Sequence, residues 1–504
     1  MDRRQFVSAV AAMGSLSLAR ASSRGESSEL EIVIRPDRKL GKFPHYWSAC
    51  AGSGHARLGL QAQWQRDLKL AHERAGIRAV RFHGVLDDDL AVCTGVSATG
   101  PLTNFIFVDE IYDRMLELGV RPYVELSFMP RALASSDNTV FWYRANTSPP
   151  KQLSEWRALV ARFVRHLVER YGLAEVSQWR FECWNEPNLN FWAGSKEQYF
   201  ELYRHTATAI KGVSPRLQVG GPATAQMMWI SEFLAECARN DVPVDFVSSH
   251  IYPDDPQENV FGHDLGLAPD EVMPRAMMQA NEQIRASAYP HVPLVISEWS
   301  SRNPAFIAQM VRDCAGLADT MSYWTFSNVF EEQGPNRTFM NETYGMIGTR
   351  GIPRPTFRTF ELLNKLGNER LESGAGPVLA TLKPGGALAV MAWHLVPEDG
   401  ADRGAGNPVA TLHRQHAALS PPLPLHLKVA GISSGSARVT LVDPGSDPVA
   451  RVYAAMGAPL YPSVQQIHEM RNAGLLQPPQ ERRIEAGYLD LILPPSSAAL
   501  VEIG

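Results

Sequence analysis

Residues 153–187 read LSEWRALVARFVRHLVERYGLAEVSQWRFECWNEP. Over Leu153–Tyr171 the apolar side chains recur every three or four positions, the period of a helix with one buried face, and Gly172 supplies a stop. The run 179–184 has the length and the aromatic and apolar weighting of a buried strand, and it leads directly into Asn185-Glu186-Pro187. A helix, a glycine stop and a short strand ending in polar chemistry form the repeating unit of a parallel sheet with crossover helices.

The same unit recurs on both sides. Strands are expected over 46–50, 78–83, 121–128, 179–184, 218–222, 245–250, 293–298 and 320–327. Between them, helices are expected over 61–75, 107–118, 196–211, 229–238, 271–286, 305–317 and 357–366, several of them stopped by Gly76, Gly119, Gly212 or Gly367. Eight such units predict an α/β fold, a (β/α)8 TIM barrel whose active site lies at the C-terminal ends of the strands. After about residue 372 the pattern changes to short alternating strands separated by Gly, Pro and Ser, as at 387–396, 423–429, 437–442 and 488–493, the pattern of a β-sandwich. The predicted layout is a signal and linker over 1–28, a strand over 29–40 joining the sandwich, the barrel over 41–371 and an accessory C-terminal β-sandwich over 372–504. Segments 397–403 and 455–477 read as irregular.

Composition agrees with two folded units. The 504 residues are 45% hydrophobic and 20% charged, with a formal net charge of -5. That balance gives neither the basic field nucleic acid requires nor a solvating acidic tail, so a neutral or weakly charged partner fits and no nucleic-acid partner is expected. Five cysteines at 50, 93, 183, 237 and 314 stand singly and read as buried thiols rather than a disulfide framework. The N-terminus runs Met1-Asp2-Arg3-Arg4-Gln5-Phe6, continues without charge from Val7 to Leu18, and reaches Ala19-Arg20-Ala21. That order resembles a bacterial twin-arginine export signal, which implies a periplasmic or secreted protein. The apolar run is shorter than the roughly 20 residues of a membrane span, and no membrane insertion is expected.

Two strand ends carry the chemistry. Trp184-Asn185-Glu186-Pro187-Asn188 closes the fourth strand and Ile296-Ser297-Glu298-Trp299-Ser300 the seventh, so both carboxylates face one mouth. Hydrolysis of a glycosidic bond needs such a pair, one protonated to assist the leaving oxygen and one ionised to attack or to direct water. Glu186 reads as the general acid/base and Glu298 as the nucleophile. Asn185 is placed to hydrogen-bond a sugar 2-hydroxyl. Strand alternation puts Arg81 and His83 on one face, where Arg81 can hold the nucleophile ionised. No metal-ligand spacing is present and no cofactor is expected.

The chain resembles glycoside hydrolase family 39, whose acid/base and nucleophile follow strands four and seven. The resemblance covers about 40–370 and rests on Arg81-Phe82-His83-Gly84 with Asp88-Asp89, on 105–118, on 122–130 (PYVELSFMP), on 181–187, on Val219-Gly220-Gly221-Pro222-Ala223, on Ser249-His250-Ile251-Tyr252-Pro253 and on Tyr323-Trp324-Thr325-Phe326-Ser327. It implies β-xylosidase or α-L-iduronidase chemistry on a barrel with a β-sandwich beside it. It further implies His250 as a pocket histidine and Tyr252 as a hydrogen-bond donor to the nucleophile, while Trp324 at strand eight reads either as a stacking platform for the sugar or as barrel core. The sequence departs from the family pattern after strand eight. Asn328 stands where many relatives have Asp, and Met340-Asn341-Glu342-Thr343-Tyr344-Gly345 replaces a glycine-rich stretch, adding Glu342 to a wall that already holds Glu331 and Glu332. These three carboxylates are candidate sugar-binding groups, and the altered loop bears on sugar identity.

Three functions follow in order. The first is a retaining glycosidase removing terminal pentosides from plant-type oligosaccharides, β-D-xylosides before α-L-arabinosides. The second is the same chemistry on a uronic-acid glycoside or an exported polysaccharide, which a cationic pocket would favour. The third, a non-catalytic carbohydrate-binding barrel, would normally have lost one of the two carboxylates, and both are present. Oligomeric state and exo or endo action are not legible in the residues. The export reading makes a direct prediction: changing Arg3 and Arg4 together to Lys leaves precursor in the cytoplasm on fractionation, and unchanged periplasmic yield would count against this signal.

Overall fold

The expected strands close into a parallel barrel of eight, in the order of the chain: Ala51–His55, Ala79–His83, Arg121–Leu126, Arg180–Cys183, Gln218–Thr224, Phe246–His250, Leu294–Trp299 and Thr320–Tyr323. The computed structural model describes residues 30–336, 338–340, 344–396 and 420–504. The predicted signal at 1–28, Glu342 and segment 397–403 therefore lie outside the described residues. The first strand departs from the reading. Tyr46–Ser48 is a 3-10 turn and the strand begins at Ala51, because Tyr46 and Trp47 are drawn sideways into the aromatic packing around Phe43.

The crossover helices form because each presents one apolar stripe to the sheet. Leu153–Tyr171 buries Trp156, Leu159, Val160, Phe163, Val164 and Leu167, each such side chain stabilising by roughly 1.5–3 kcal/mol relative to exposure. Ala62–Ala75 ends at Gly76, whose φ of 73° is the left-handed conformation a C-cap requires. Gly212 is no stop, since its helix starts at a capping box of Ser195 and Gln198 and runs through to Val213.

The barrel floor is apolar and the layer above it is charged. Cys50, Tyr123, Phe246 and Val295 form a small buried cluster near the N-terminal strand ends. Register then sets Arg81 beside Tyr123, Glu125 beside Glu182, and His250 beside Glu298. All five cysteines are buried and unpaired. Among the described residues no helix is long and apolar enough to cross a membrane.

Among the described residues, the accessory β domain is a second sheet of nine strands that closes on itself. Leu30–Lys42, which precedes the barrel, pairs antiparallel with Glu369–Ser373 and parallel with Leu423–Val429, bridging the two ends of the C-terminal sheet. Its core is Ile32, Ile34, Val390, Leu427, Leu491 and Val501 with their neighbours. Ala498–Ile503 lacks the alternation of a half-buried strand because nearly all of it is buried, which hides it from periodicity. Segment 455–477, read as irregular, contains the helix Val464–Ala473, which follows the helix Pro448–Ala455.

The two sheets share polar and aromatic seams. Trp393 is fully buried, its indole Nε1 donates to Gln309 at 3.2 Å, and the Arg312 guanidinium lies 4.9 Å over its ring. Arg358 pairs with Asp447 at 2.6 Å. Trp393→Ala is expected to lower stability by about 3–5 kcal/mol, read as a lower urea midpoint. A midpoint unchanged from wild type would show that the seam contributes nothing.

Candidate active site

Arg81 is the hub. It sits mid-strand with no solvent exposure, and a guanidinium there must spend all its N–H donors on protein acceptors. Its Nε donates to Glu182 at 2.6 Å, Nη1 to Glu298 at 2.7 Å, and Nη2 to Asn185 at 2.9 Å, while Glu125 lies 2.8 Å from Nη2. Glu182 also accepts from the Tyr123 hydroxyl at 3.0 Å. Although burial raises the pKa of Glu182, the Arg81 charge brings it below the usual carboxylate value. Because a guanidinium only donates, the Asn185 atom facing it is the amide oxygen, which leaves the NH2 end to donate elsewhere.

Glu298 stands at this hub and Glu186 beside it. The second oxygen of Glu298 accepts from the Tyr252 hydroxyl at 2.9 Å. Glu186 is held differently: its Oε1 lies 2.9 Å from His250 Nδ1, which is in turn 3.6 Å from Glu298. One donor atom from each of Glu186, His250 and Glu298 falls within 4.8 Å of the others. Burial drives the His250 pKa down to about 4, so this imidazole is neutral near pH 7. Burial raises both carboxyls. It takes Glu186 to about 7, against the opposing charges of His83 and Arg81. Glu298 is raised by burial, with the Arg81 guanidinium drawing it back. Desolvation, rather than repulsion by the neighbouring Glu298, is the dominant cause at Glu186. Trp184 (φ 70°) and Glu186 (φ 43°) take the left-handed backbone region that non-glycine residues rarely occupy.

The remaining predicted residues line one wall. His83 Nδ1 meets Glu125 at 2.8 Å, while its Nε2 lies 3.5 Å from Glu332 and 3.8 Å from Glu298. Burial opposes a charge on His83, yet Glu125 and Glu332 raise its pKa to about 10. Trp324 lies 4.6 Å from the His83 ring and packs against Gly52, where an added Cβ would come within 2.2 Å of the indole. Only 3% of Trp324 is exposed. Glu331 contacts His55 at 3.0 Å. Asn328 is buried and donates to Thr349 at 3.1 Å.

Glu125, Glu182, Tyr123 and His55 escaped the sequence reading. A signal existed: a Glu in the middle of a short apolar barrel strand, as in Arg180-Phe181-Glu182-Cys183 and Tyr123-Val124-Glu125-Leu126, calls for a buried cation, and Arg81 is that cation. Glu186, His250 and Glu298 are close enough to ligate an ion, but the Arg81 charge 2.7 Å from Glu298 repels a second cation there.

The family model described as glycosyl hydrolases family 39 matches residues 30–484. A beta-xylosidase of Geobacillus stearothermophilus is 36% identical over 94% of this chain and 95% of its own length. A beta-xylosidase of Caldicellulosiruptor saccharolyticus is 37% identical over 89% and 92% respectively. The crystal structure of a monomeric beta-xylosidase from Caulobacter crescentus CB15 superposes with a TM-score of 0.81 at 30% identity, covering 94% of this chain and 99% of that one.

The Glu186 environment predicts a pH-dependent stability. Its folded pKa of about 7 exceeds the ordinary 4.5, so the native state binds more protons than the unfolded chain between those values and wild-type stability falls as pH rises through that window. Glu186→Gln should therefore match wild type near pH 4.5 and exceed it by on the order of 3 kcal/mol at pH 8 in urea titrations. A stability difference independent of pH would contradict the desolvated carboxyl.

Proposed function

Since the chain belongs to glycosyl hydrolase family 39 and is a glycoside hydrolase, we propose that it removes terminal β-D-xylosyl units, and α-L-arabinosyl units less well, from plant-type oligosaccharides by double displacement. The observation that carries the mechanism is the approach of Glu186 and Glu298 to within 4.8 Å. One oxygen of each carboxyl lies within that limit, which favours the roughly 5–5.5 Å arrangement of retaining enzymes over the roughly 6.5–9.5 Å that an inverting pair keeps for its water.

The proton order supports the assignment of roles. Glu298 receives a cationic donor, Arg81, and a neutral one, Tyr252, and both favour its ionised form. Glu186 has a neutral imidazole as its partner and keeps its proton to about pH 7. Glu298 attacks the anomeric carbon while Glu186 gives its proton to the leaving oxygen, forming a glycosyl ester and a free alcohol. Glu186, now a carboxylate, takes a proton from water, whose oxygen attacks the same carbon and releases Glu298. The NH2 of Asn185 donates to the 2-hydroxyl as charge develops on the ring.

The relatives' beta-xylosidase activity supports a pentoside substrate. The wall favours a neutral sugar as well, because the cations Arg81 and His83 are each held by carboxylates. A uronate would require an uncommitted cation at the sugar. The export signal extends the proposal to a periplasmic or secreted enzyme.

A panel of nitrophenyl glycosides tests the sugar, with β-D-xyloside expected to give the highest kcat/KM. On that substrate the basic limb of kcat/KM falls near pH 7, belongs to Glu186, and flattens in Glu186→Gln. A 2-fluoro glycoside of the preferred sugar should label Glu298, and Glu298→Ala should lose turnover, with azide restoring part of it and giving the inverted glycosyl azide. Label on another residue, or an inverted sugar as the first product seen by NMR, would overturn the mechanism.

A further inference from the structure

His55 closes the first barrel strand, and both of its ring nitrogens face carboxylates. Nδ1 lies 3.0 Å from Glu331 Oε1, while Nε2 lies 3.2 Å from Asp87 Oδ2 and 3.3 Å from Asp89 Oδ1. The ring is 1% exposed and stacks on Tyr143 at 3.9 Å with 3° between planes. A neutral imidazole has one N–H and would leave one nitrogen lone pair directed at a carboxylate, so two such contacts call for protons on both nitrogens. Burial works against that charge, yet the three carboxylates hold the pKa of His55 well above its ordinary value. The Nδ1 contact with Glu331 is a hydrogen bond, whereas Nε2 is out of line for one and faces Asp87 and Asp89 as an ion pair.

The three carboxylates come from different places. Asp87 and Asp89 belong to the loop after the second strand, and Asp87 is anchored by accepting from the Phe128 backbone N–H at 3.3 Å. Glu331 belongs to the segment that follows the eighth strand. Its neighbour Glu332 faces His83, and the Glu332 carbonyl accepts from the Trp142 backbone N–H at 2.8 Å. Glu331 remains 23% exposed at its side chain. Unrestrained, a glutamate on such a segment loses rotamer entropy whenever it binds a hydroxyl.

We propose that His55 is a positioning residue that bridges Asp87 and Asp89 to Glu331 and so fixes Glu331 as a hydroxyl-accepting wall of the sugar pocket. The inference rests on the proposed glycosidase site. It concerns sugar binding rather than bond cleavage, so its signature is a rise in KM with kcat largely kept.

A double-mutant cycle tests it, measured on whichever nitrophenyl glycoside the wild type cleaves fastest, so that an error over the sugar leaves the cycle readable. His55→Gln and Glu331→Gln should each raise KM about tenfold with kcat within about threefold, and the double variant should be no worse than the larger single one. Multiplying effects, or a His55→Gln enzyme with wild-type KM, would overturn the bridge. Should His55→Gln fail to fold, Asp89→Asn at the outer edge of the cluster provides the reading: KM about threefold higher in the wild-type background and unchanged in the Glu331→Gln background. The same rise in both backgrounds would sink the proposal. His55, Asp87 and Asp89 also have the spacing of cation ligands. Stoichiometric metal by mass spectrometry, with chelation reproducing the rise in KM, would replace the bridge with a metal site.

Discussion

Everything at the mouth of this barrel depends on one buried cation. Arg81 has no access to water, and its planar fork meets Glu182, Glu125, Glu298 and Asn185. Those acceptors come from the third, fourth and seventh strands and from the turn after the fourth. The charge is tolerable only when the barrel is closed, because each missing acceptor would leave an uncompensated charge costing several kcal/mol. The apolar floor of Cys50, Tyr123, Phe246 and Val295 keeps water from reaching it from below. The polar layer that makes the site useful is thus also a test of correct closure.

Two carboxyls in one small volume are given unlike surroundings. Glu298 lies in the field of Arg81 and accepts a tyrosine hydroxyl, whereas Glu186 faces a histidine whose burial keeps it neutral. Environments that separate two titrating groups in this way allow the unlike acid and base roles of the proposed mechanism without any difference in residue type. His83, held charged by Glu125 and Glu332, extends the alternation of charge from the hub to the pocket wall.

The accessory domain is tied to the barrel at both chain ends. Leu30–Lys42 lies before the first barrel strand, yet it completes a sheet whose other strands follow the last barrel helix. Trp393 against Arg312 and Gln309, and Arg358 against Asp447, fasten that sheet to the barrel helices. The helix Val464–Ala473 reaches the segment that follows strand eight, where Arg471 donates to the Arg350 carbonyl at 2.6 Å and Met470 packs with Ile352. The loop that carries Glu331 and Glu332 is therefore continuous with a segment buttressed by the second domain.

The fold was legible in the sequence because helices with one buried face and short buried strands have distinct periods, and eight repeats of that pair leave few alternatives. Glu186 and Glu298 were legible for the same reason: once strands are counted, a residue at a strand end has a known address, and Arg81 and His83 inherit theirs from alternation. Strand Ala498–Ile503 and the helix Val464–Ala473 were not, the first because burial on both faces erases alternation and the second because its apolar contacts are sparse. Glu125, Glu182 and His55 mark the real limit. Their roles come from distance between side chains that are remote in the chain, and no period encodes which acids converge on one guanidinium or one imidazole. Tertiary structure alone also decided that desolvation, rather than a neighbouring charge, raises Glu186, since burial is a property of the closed barrel and not of any stretch within it.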